Sequence, residues 1–256
     1  MTPSSWLKSK GYDPIIMAKK TEDIVVSGNR RKYVQLGRHL RFYGGTSSAT
    51  EVGCNLRCKF CFSHEPVWKP ETTGKFYSPE EVFKGLVANA QKHGNKIISA
   101  SASEGTLGKQ HLFELLALVD KTDYVYVLET NGMTLGADKA YCEQLALFKN
   151  LHVRVSIKGC NADEFHALTG AKKDAYELPY TALKHLIEAG VSVNACLMVS
   201  FSDEQTIKQA TQRLHDIYPG LLKSLELERI KQFPKVRTRL HRHNLKPNRQ
   251  ISCANI

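Results

Sequence analysis

No stretch of this chain approaches the roughly 20 apolar residues needed to cross a bilayer, although 42% of its 256 residues are hydrophobic. A helical membrane span is therefore not expected, while enough apolar material remains for one substantial core. No internal repeat or low-complexity linker divides the sequence. The seven cysteines are an odd number, without a secretory pattern before them. That argues against a disulfide framework and for a reducing, cytoplasmic setting. A second C-x2-C group is also missing: Cys142, Cys160, Cys196 and Cys253 are scattered and read as buried small hydrophobes. Acidic residues are scarce, 25 against 36 Lys and Arg, which leaves a net charge of +11. From Arg229 to Arg249 there are eight Lys or Arg residues, with His241 and His243 among them, and no carboxylate. A second basic group covers Arg30, Arg31, Lys32, Arg38 and Arg41. Such patches attract polyanions, nucleic acid first among them, or simply solvate a surface.

What the chain does have is a concentration of thiols. Cys54, Cys58 and Cys61 lie in the run Gly53-Cys54-Asn55-Leu56-Arg57-Cys58-Lys59-Phe60-Cys61-Phe62. A C-x3-C-x2-C spacing can wrap three thiolates round one face of a small metal cluster and leave one position without a protein ligand. An electron-transfer cubane takes four cysteines. Two other readings stand beside the open cluster. His64 could complete a Cys3His zinc site, or the thiols could be ordinary reduced cysteines.

Beyond the cysteines, strand and helix signals alternate. Strands are expected at 47–52, 96–101, 124–128, 151–157, 192–199 and 222–227. Helices are expected from Ser78-Pro79-Glu80-Glu81 to Gly94, and over 109–119, 138–148, 180–189 and 204–217. Strands separated by helices imply right-handed crossovers and a parallel sheet, curled into a partial (β/α)6 barrel over residues 46–230. Residues 1–45 are expected as an N-terminal extension packed on the barrel, with a helix from Asp13-Pro14 and an extended segment from Tyr33 to Tyr43. Residues 231–256 are expected as a basic C-terminal tail.

Sites in such folds gather at the carboxyl ends of the strands. Those ends carry Ser101-Ala102-Ser103-Glu104-Gly105, Glu129-Thr130-Asn131-Gly132 and Ser156-Ile157-Lys158-Gly159, and the fifth strand carries Asn194. Glu104 can accept from an ammonium group and Lys158 can pair with a carboxylate. Thr130 and Asn131 can bond hydroxyls.

The cysteine run resembles the signature of the radical S-adenosylmethionine (SAM) enzymes. Ser101-Ala102-Ser103-Glu104 lies where that family has a Gly-Gly-Glu motif that binds the methionine amino group. Glu129-Thr130-Asn131-Gly132 is similar to the Asp-Thr-Asn-Gly motif of glycyl-radical-enzyme activases. Ser156-Ile157-Lys158, followed by Asp163-Glu164-Phe165-His166 and Leu168-Thr169-Gly170, resembles a further activase segment. There Ser156 replaces an acidic residue that helps hold a monovalent cation, and Asn194 stands where activases have a SAM-contacting arginine. The likeness runs from about Gly44 to Arg239. It implies one 4Fe-4S cluster on Cys54, Cys58 and Cys61, with SAM chelating the free iron. It also implies SAM contacts from Ser103, Glu104, Glu129, Thr130, Asn131, Ser156, Lys158 and Asn194. Reductive cleavage would give methionine and a 5′-deoxyadenosyl radical that abstracts hydrogen from a substrate. Reduced flavodoxin or ferredoxin would supply the electron. The activase-like motifs point to a protein or peptide substrate; RNA or a small metabolite is the alternative, and a zinc-stabilised RNA-binding module the third. Cys160 reads either as a hydrogen donor to a product radical or as a buried structural thiol.

Overall fold

The computed structural model describes residues 11–251, so the expectation for Cys253 lies outside them. Asp13 starts α1 (Pro14–Val25), its carboxylate accepting from the Ile15 amide at 2.8 Å, with Pro14 in the first turn. The chain then forms β1 (Val26–Ser27), β2 (Arg30–Leu40) and β3 (Thr46–Glu51). The short α2 (Glu65–Trp68) and β4 (Lys75–Tyr77) follow the cysteine run. Ser78 and Glu81 form a reciprocal capping box at the head of α3 (Pro79–His93), and Gly94 ends it in a left-handed conformation.

After α3 the alternation is regular: β5 (Ile97–Ser101), α4 (Lys109–Val119), β6 (Val125–Thr130), α5 (Met133–Ala137), α6 (Lys139–Leu145) and β7 (Leu151–Ile157). It continues through α7 (Ala162–Thr169), α8 (Leu178–Glu188), β8 (Val193–Met198), α9 (Glu204–Ile217) and β9 (Glu226–Glu228). The final described elements are β10 (Ile230–Lys231), α10 (Pro234–Arg242) and β11 (Gln250–Ile251).

Strands β3, β5, β6, β7, β8 and β9 pair in that order, every pair parallel. This is the expected α/β arrangement of a partial barrel. The N-terminal segment does more than pack on it. Strand β2 pairs antiparallel with β3 and extends the sheet, with β1 and β4 also paired to β2. Three other details differ from expectation. The helix expected over 138–148 is shorter, α6 ending at Leu145, and extended Asp138 caps it apart from the unexpected α5 before it. The last barrel strand begins late, since Pro219–Ser224 forms a 3-10 turn. Within the basic stretch expected as a tail, Val236 and Leu240 stand four residues apart and are buried, so α10 docks on the body of the protein.

Strand alternation decides what the barrel contains. On β7, Val153, Val155 and Ile157 are buried in the apolar core, whereas Arg154 and Ser156 point to the opposite face. There Arg154 meets Glu226 at 2.9 Å and Ser156 meets Glu228 at 3.4 Å. The apolar layer lies between sheet and helices, and the barrel interior is lined with charge.

Candidate active site

The loop between β3 and α2 carries the three cysteines, and anchors from both ends of the described chain hold it. The hydroxyl of Tyr12 accepts from the Arg57 amide at 2.8 Å. The Lys59 amide donates to the Leu168 carbonyl at 2.8 Å, so the Leu168-Thr169-Gly170 segment docks the loop. On the far side Arg239 of α10 donates to the carbonyls of Lys59 and Cys61 and bonds His64 Nδ1 at 3.0 Å. At the base, Gly53 adopts a φ of +95°, and a Cβ there would stand 2.9 Å from Thr21 and Val25 of α1. Glycine is required because helix and loop touch at that point.

The second wall is the loop after β5. Ser103 donates to the Glu51 carbonyl at 2.8 Å, and the Glu104 amide donates to the Gly53 carbonyl at 3.0 Å. Ala102 stands where the resemblance has a glycine, and it takes a left-handed φ of 76°, so the backbone keeps a glycine-like path. Beneath this loop lies Arg31, 1% exposed. Its guanidinium donates to the carbonyls of Glu104 at 2.7 Å, Gly105 at 3.1 Å and Leu107 at 2.5 Å, and pairs with Glu51 at 3.3 Å. Sequence reading placed Arg31 only in a basic surface cluster, and no local signal separated it from its neighbours, since Arg31, Lys32 and Tyr33 are all buried.

Glu104 is the hub of the site. Its Oε1 accepts from the Thr106 amide, the Thr106 hydroxyl at 2.7 Å and the Thr130 hydroxyl at 2.6 Å. Among the described residues, its Oε2 accepts only from the Asn131 amide, at 2.8 Å. A carboxylate offers about four lone-pair sites, two per oxygen, so Oε2 retains one for a further donor. The Asn131 side chain reaches the cysteine loop, donating to Asn55 Oδ1 at 2.7 Å and towards Cys54 Sγ at 3.7 Å. Thus Glu104, Thr130 and Asn131 form one hydrogen-bonded group that reaches towards Cys54, and Ser103 ties the same loop to β3.

Lys158 and Ser156 complete the other side. The Lys158 ammonium donates to Ser156 Oγ at 2.6 Å. Burial alone would lower its pKa, but the charges of Glu228 and Cys58 raise it above the ordinary lysine value. Glu129 stands beside Arg154 in the neighbouring strand register. Burial raises its pKa, partly offset by the Arg154 charge. Asn194 is the exception. It is the second residue of β8, and its side chain is taken up by His152 at 2.9 Å, Glu226 at 2.8 Å and the Ser224 carbonyl. These partners sit towards the amino ends of their strands, so the structure does not bring Asn194 to the cysteines. Arg154, Glu226 and Glu228 were missed from sequence; charges at alternate positions of buried strands were the signal.

The donor set itself says what it can hold. Burial, the Glu104 charge and neighbouring Cys61 push the Cys54 thiol up to about 12. Burial likewise raises Cys58 and Cys61. Three such thiols become thiolates together only around a strongly cationic group. No three His, Cys, Asp or Glu side chains among the described residues are drawn together on a single metal ion. Beside the thiols, the Nδ2 of Asn55 is a buried donor without a partner, which a cluster sulfur could satisfy. The residues present fit a 4Fe-4S cluster.

A family model for the Radical SAM superfamily matches residues 50–214. The chain belongs to this superfamily. Radical SAM proteins use a 4Fe-4S cluster and SAM, with a reductant supplying the electron. Streptococcus suis SuiB is similar in fold, at 16% identity and a TM-score of 0.55 over 77% of this chain and 43% of that one. SuiB bound to its precursor peptide SuiA matches at 17% identity and 0.53, over 65% and 35%. The protein anSMEcpe with bound AdoMet and a Cp18Cys peptide matches at 20% identity and 0.50, over 72% and 51%. This chain therefore spans about a third to a half of the length of these radical SAM structures. At such identities the likeness is one of fold. Among the described residues, no helix is long and apolar enough to cross a membrane.

Proposed function

We propose that this chain cleaves SAM reductively at a 4Fe-4S cluster held by Cys54, Cys58 and Cys61, and removes a hydrogen atom from a substrate at the barrel mouth. The observation that carries the reading is the meeting of three thiols, Cys58 buried and Cys54 and Cys61 half-buried, with a carboxylate whose Oε2 has one acceptor site left. When bound, cluster and SAM supply the 5′-deoxyadenosyl radical, and the protein supplies orientation and shelter. Glu104 accepts from the SAM ammonium through Oε2. Lys158 spends one of its three N–H donors on Ser156, which leaves the others for the SAM carboxylate. Thr130 and Asn131 fix Glu104 in place, and Ser103 ties its loop to β3. Ser156 and Glu129 present further polar groups to the interior. Reduced flavodoxin or ferredoxin is the electron donor, in the cytoplasm.

The reading of a protein or peptide substrate is supported by the activase-like motifs around Asn131 and Lys158 and by the peptide-bound SuiB and anSMEcpe structures. RNA or a small metabolite is the alternative, and the basic C-terminal surface favours a polyanion. The deciding experiment for the chemistry is anaerobic reconstitution with iron and sulfide, followed by SAM and dithionite. Release of 5′-deoxyadenosine, abolished together with the brown colour in Cys58→Ala, is expected. A colourless, oxygen-stable, zinc-containing protein, or a cluster ligated by four side chains, would sink the proposal.

A further inference from the structure

The face of the cysteine loop turned towards α10 opens into a cavity of about 390 Å³ lined by His64, Trp68, Lys235, Arg239, Arg242 and His243. Its chemistry is one-sided. Three permanent cations converge on it, and the nearest carboxylate, Glu65, lies on the rim within 3.5 Å of Lys235. The side chain of Arg242 has no partner among the described residues and is exposed, as is that of His243. Arg239 is committed differently, because it is bonded to the cysteine loop and lies 5.7 Å from the centre of the Trp68 ring. Trp68 itself is 40% exposed. Two more aromatic side chains stand open on the same segments: Phe62, next to Cys61, at 59%, and Phe233, at the head of α10, at 40%.

Of the three cations, Lys235 has only an exposed pairing with Glu65 and Arg242 has no partner among the described residues, so both are open to an anion beside the exposed Trp68 ring. Cations that neutralise phosphates, interleaved with ring faces that stack bases, are what a single-stranded nucleic acid needs. An acidic peptide would use the charge but not the rings. We infer that this groove binds single-stranded RNA, with phosphates on Lys235 and Arg242 and a base stacked on Trp68, and so favours RNA, the alternative above, over a peptide as what reaches the barrel mouth. The last clause rests on the proposed radical chemistry; the binding does not. The groove also corrects one expectation. Arg239 belongs to the run from Arg229 to Arg249 that was expected to attract polyanions or solvate a surface, yet it clamps the cysteine loop, so neutralising it would disturb the cluster site as well.

The test uses the reconstituted full chain and a fluorescently labelled single-stranded RNA of about ten nucleotides, followed by anisotropy across a salt series. Each phosphate contact on a single strand contributes about 0.7 to the slope of log K against log salt. The double variant Lys235→Gln/Arg242→Gln should flatten that slope by about 1.4. Trp68→Leu should weaken binding about ten-fold with the slope unchanged, since stacking does not release counterions. Both variants should release 5′-deoxyadenosine from SAM at the wild-type basal rate. The inference is overturned if RNA fails to bind, if the variants bind as wild type does, or if a poly-glutamate peptide displaces the RNA at equal concentration. Wild-type RNA binding without nucleoside release would instead strike the radical chemistry alone.

Discussion

Replacing Arg31 tests whether the floor beneath the Ala102–Leu107 loop shapes the SAM site. Arg31→Met removes a fully buried cation that serves three carbonyls and one carboxylate. Among the described residues, Glu51 is left in the interior with only the Tyr33 hydroxyl, 3.4 Å away. Breaking a buried pair from one side costs about 3–5 kcal/mol, a large part of a typical domain's 5–15 kcal/mol. Adding Glu51→Gln removes the stranded charge, leaving mainly the three orphaned carbonyls. The double variant should therefore regain about 2 kcal/mol relative to Arg31→Met alone. Urea unfolding of the three proteins measures this directly. In the folded double variant, iron content should match wild type while SAM affinity, read by equilibrium dialysis, falls about ten-fold for one lost charged contact. If the second substitution adds to the damage, the pair is not what Arg31 contributes. If SAM binds the double variant normally, the loop does not depend on its floor.

Glu104→Gln should retain the brown cluster but bind SAM at least ten-fold more weakly, because it loses the charge that attracts the ammonium; unchanged affinity would remove Glu104 from the SAM site. Glu129 has a native pKa raised by burial, so the folded protein holds a proton that the unfolded chain has already lost. Stability should then fall as pH rises from about 4.3, the ordinary glutamate value, through the native value, and level off above it. Glu129→Gln should lack that fall. Parallel urea midpoints for both proteins across the range would refute the assignment if the two curves keep a constant separation.

The barrel was legible because its strands and helices obey separate periodicities and its caps are explicit, as at Ser78 and Gly94. The cysteine loop was legible because a ligand run is local in sequence. What escaped was long-range. Tyr12 lies 45 residues from Arg57, and Arg239 lies 178 from Cys61; no local pattern marks such pairs. Arg31 and Arg239 were both read as surface charge, since a basic run does not reveal which member turns inward. Asn194 failed for a related reason. Its position was inferred by matching a motif, whereas its depth in the barrel depends on where β8 begins.

Tyr12 and Arg239 grip the same short loop from segments far apart in sequence. A ribosome delivers the first grip early and the second only after residue 239 has appeared, while domains fold as their segments emerge. A nascent chain that has not yet reached residue 239 would therefore present the thiols on a half-fastened loop, and the arrival of α10 adds the second hold.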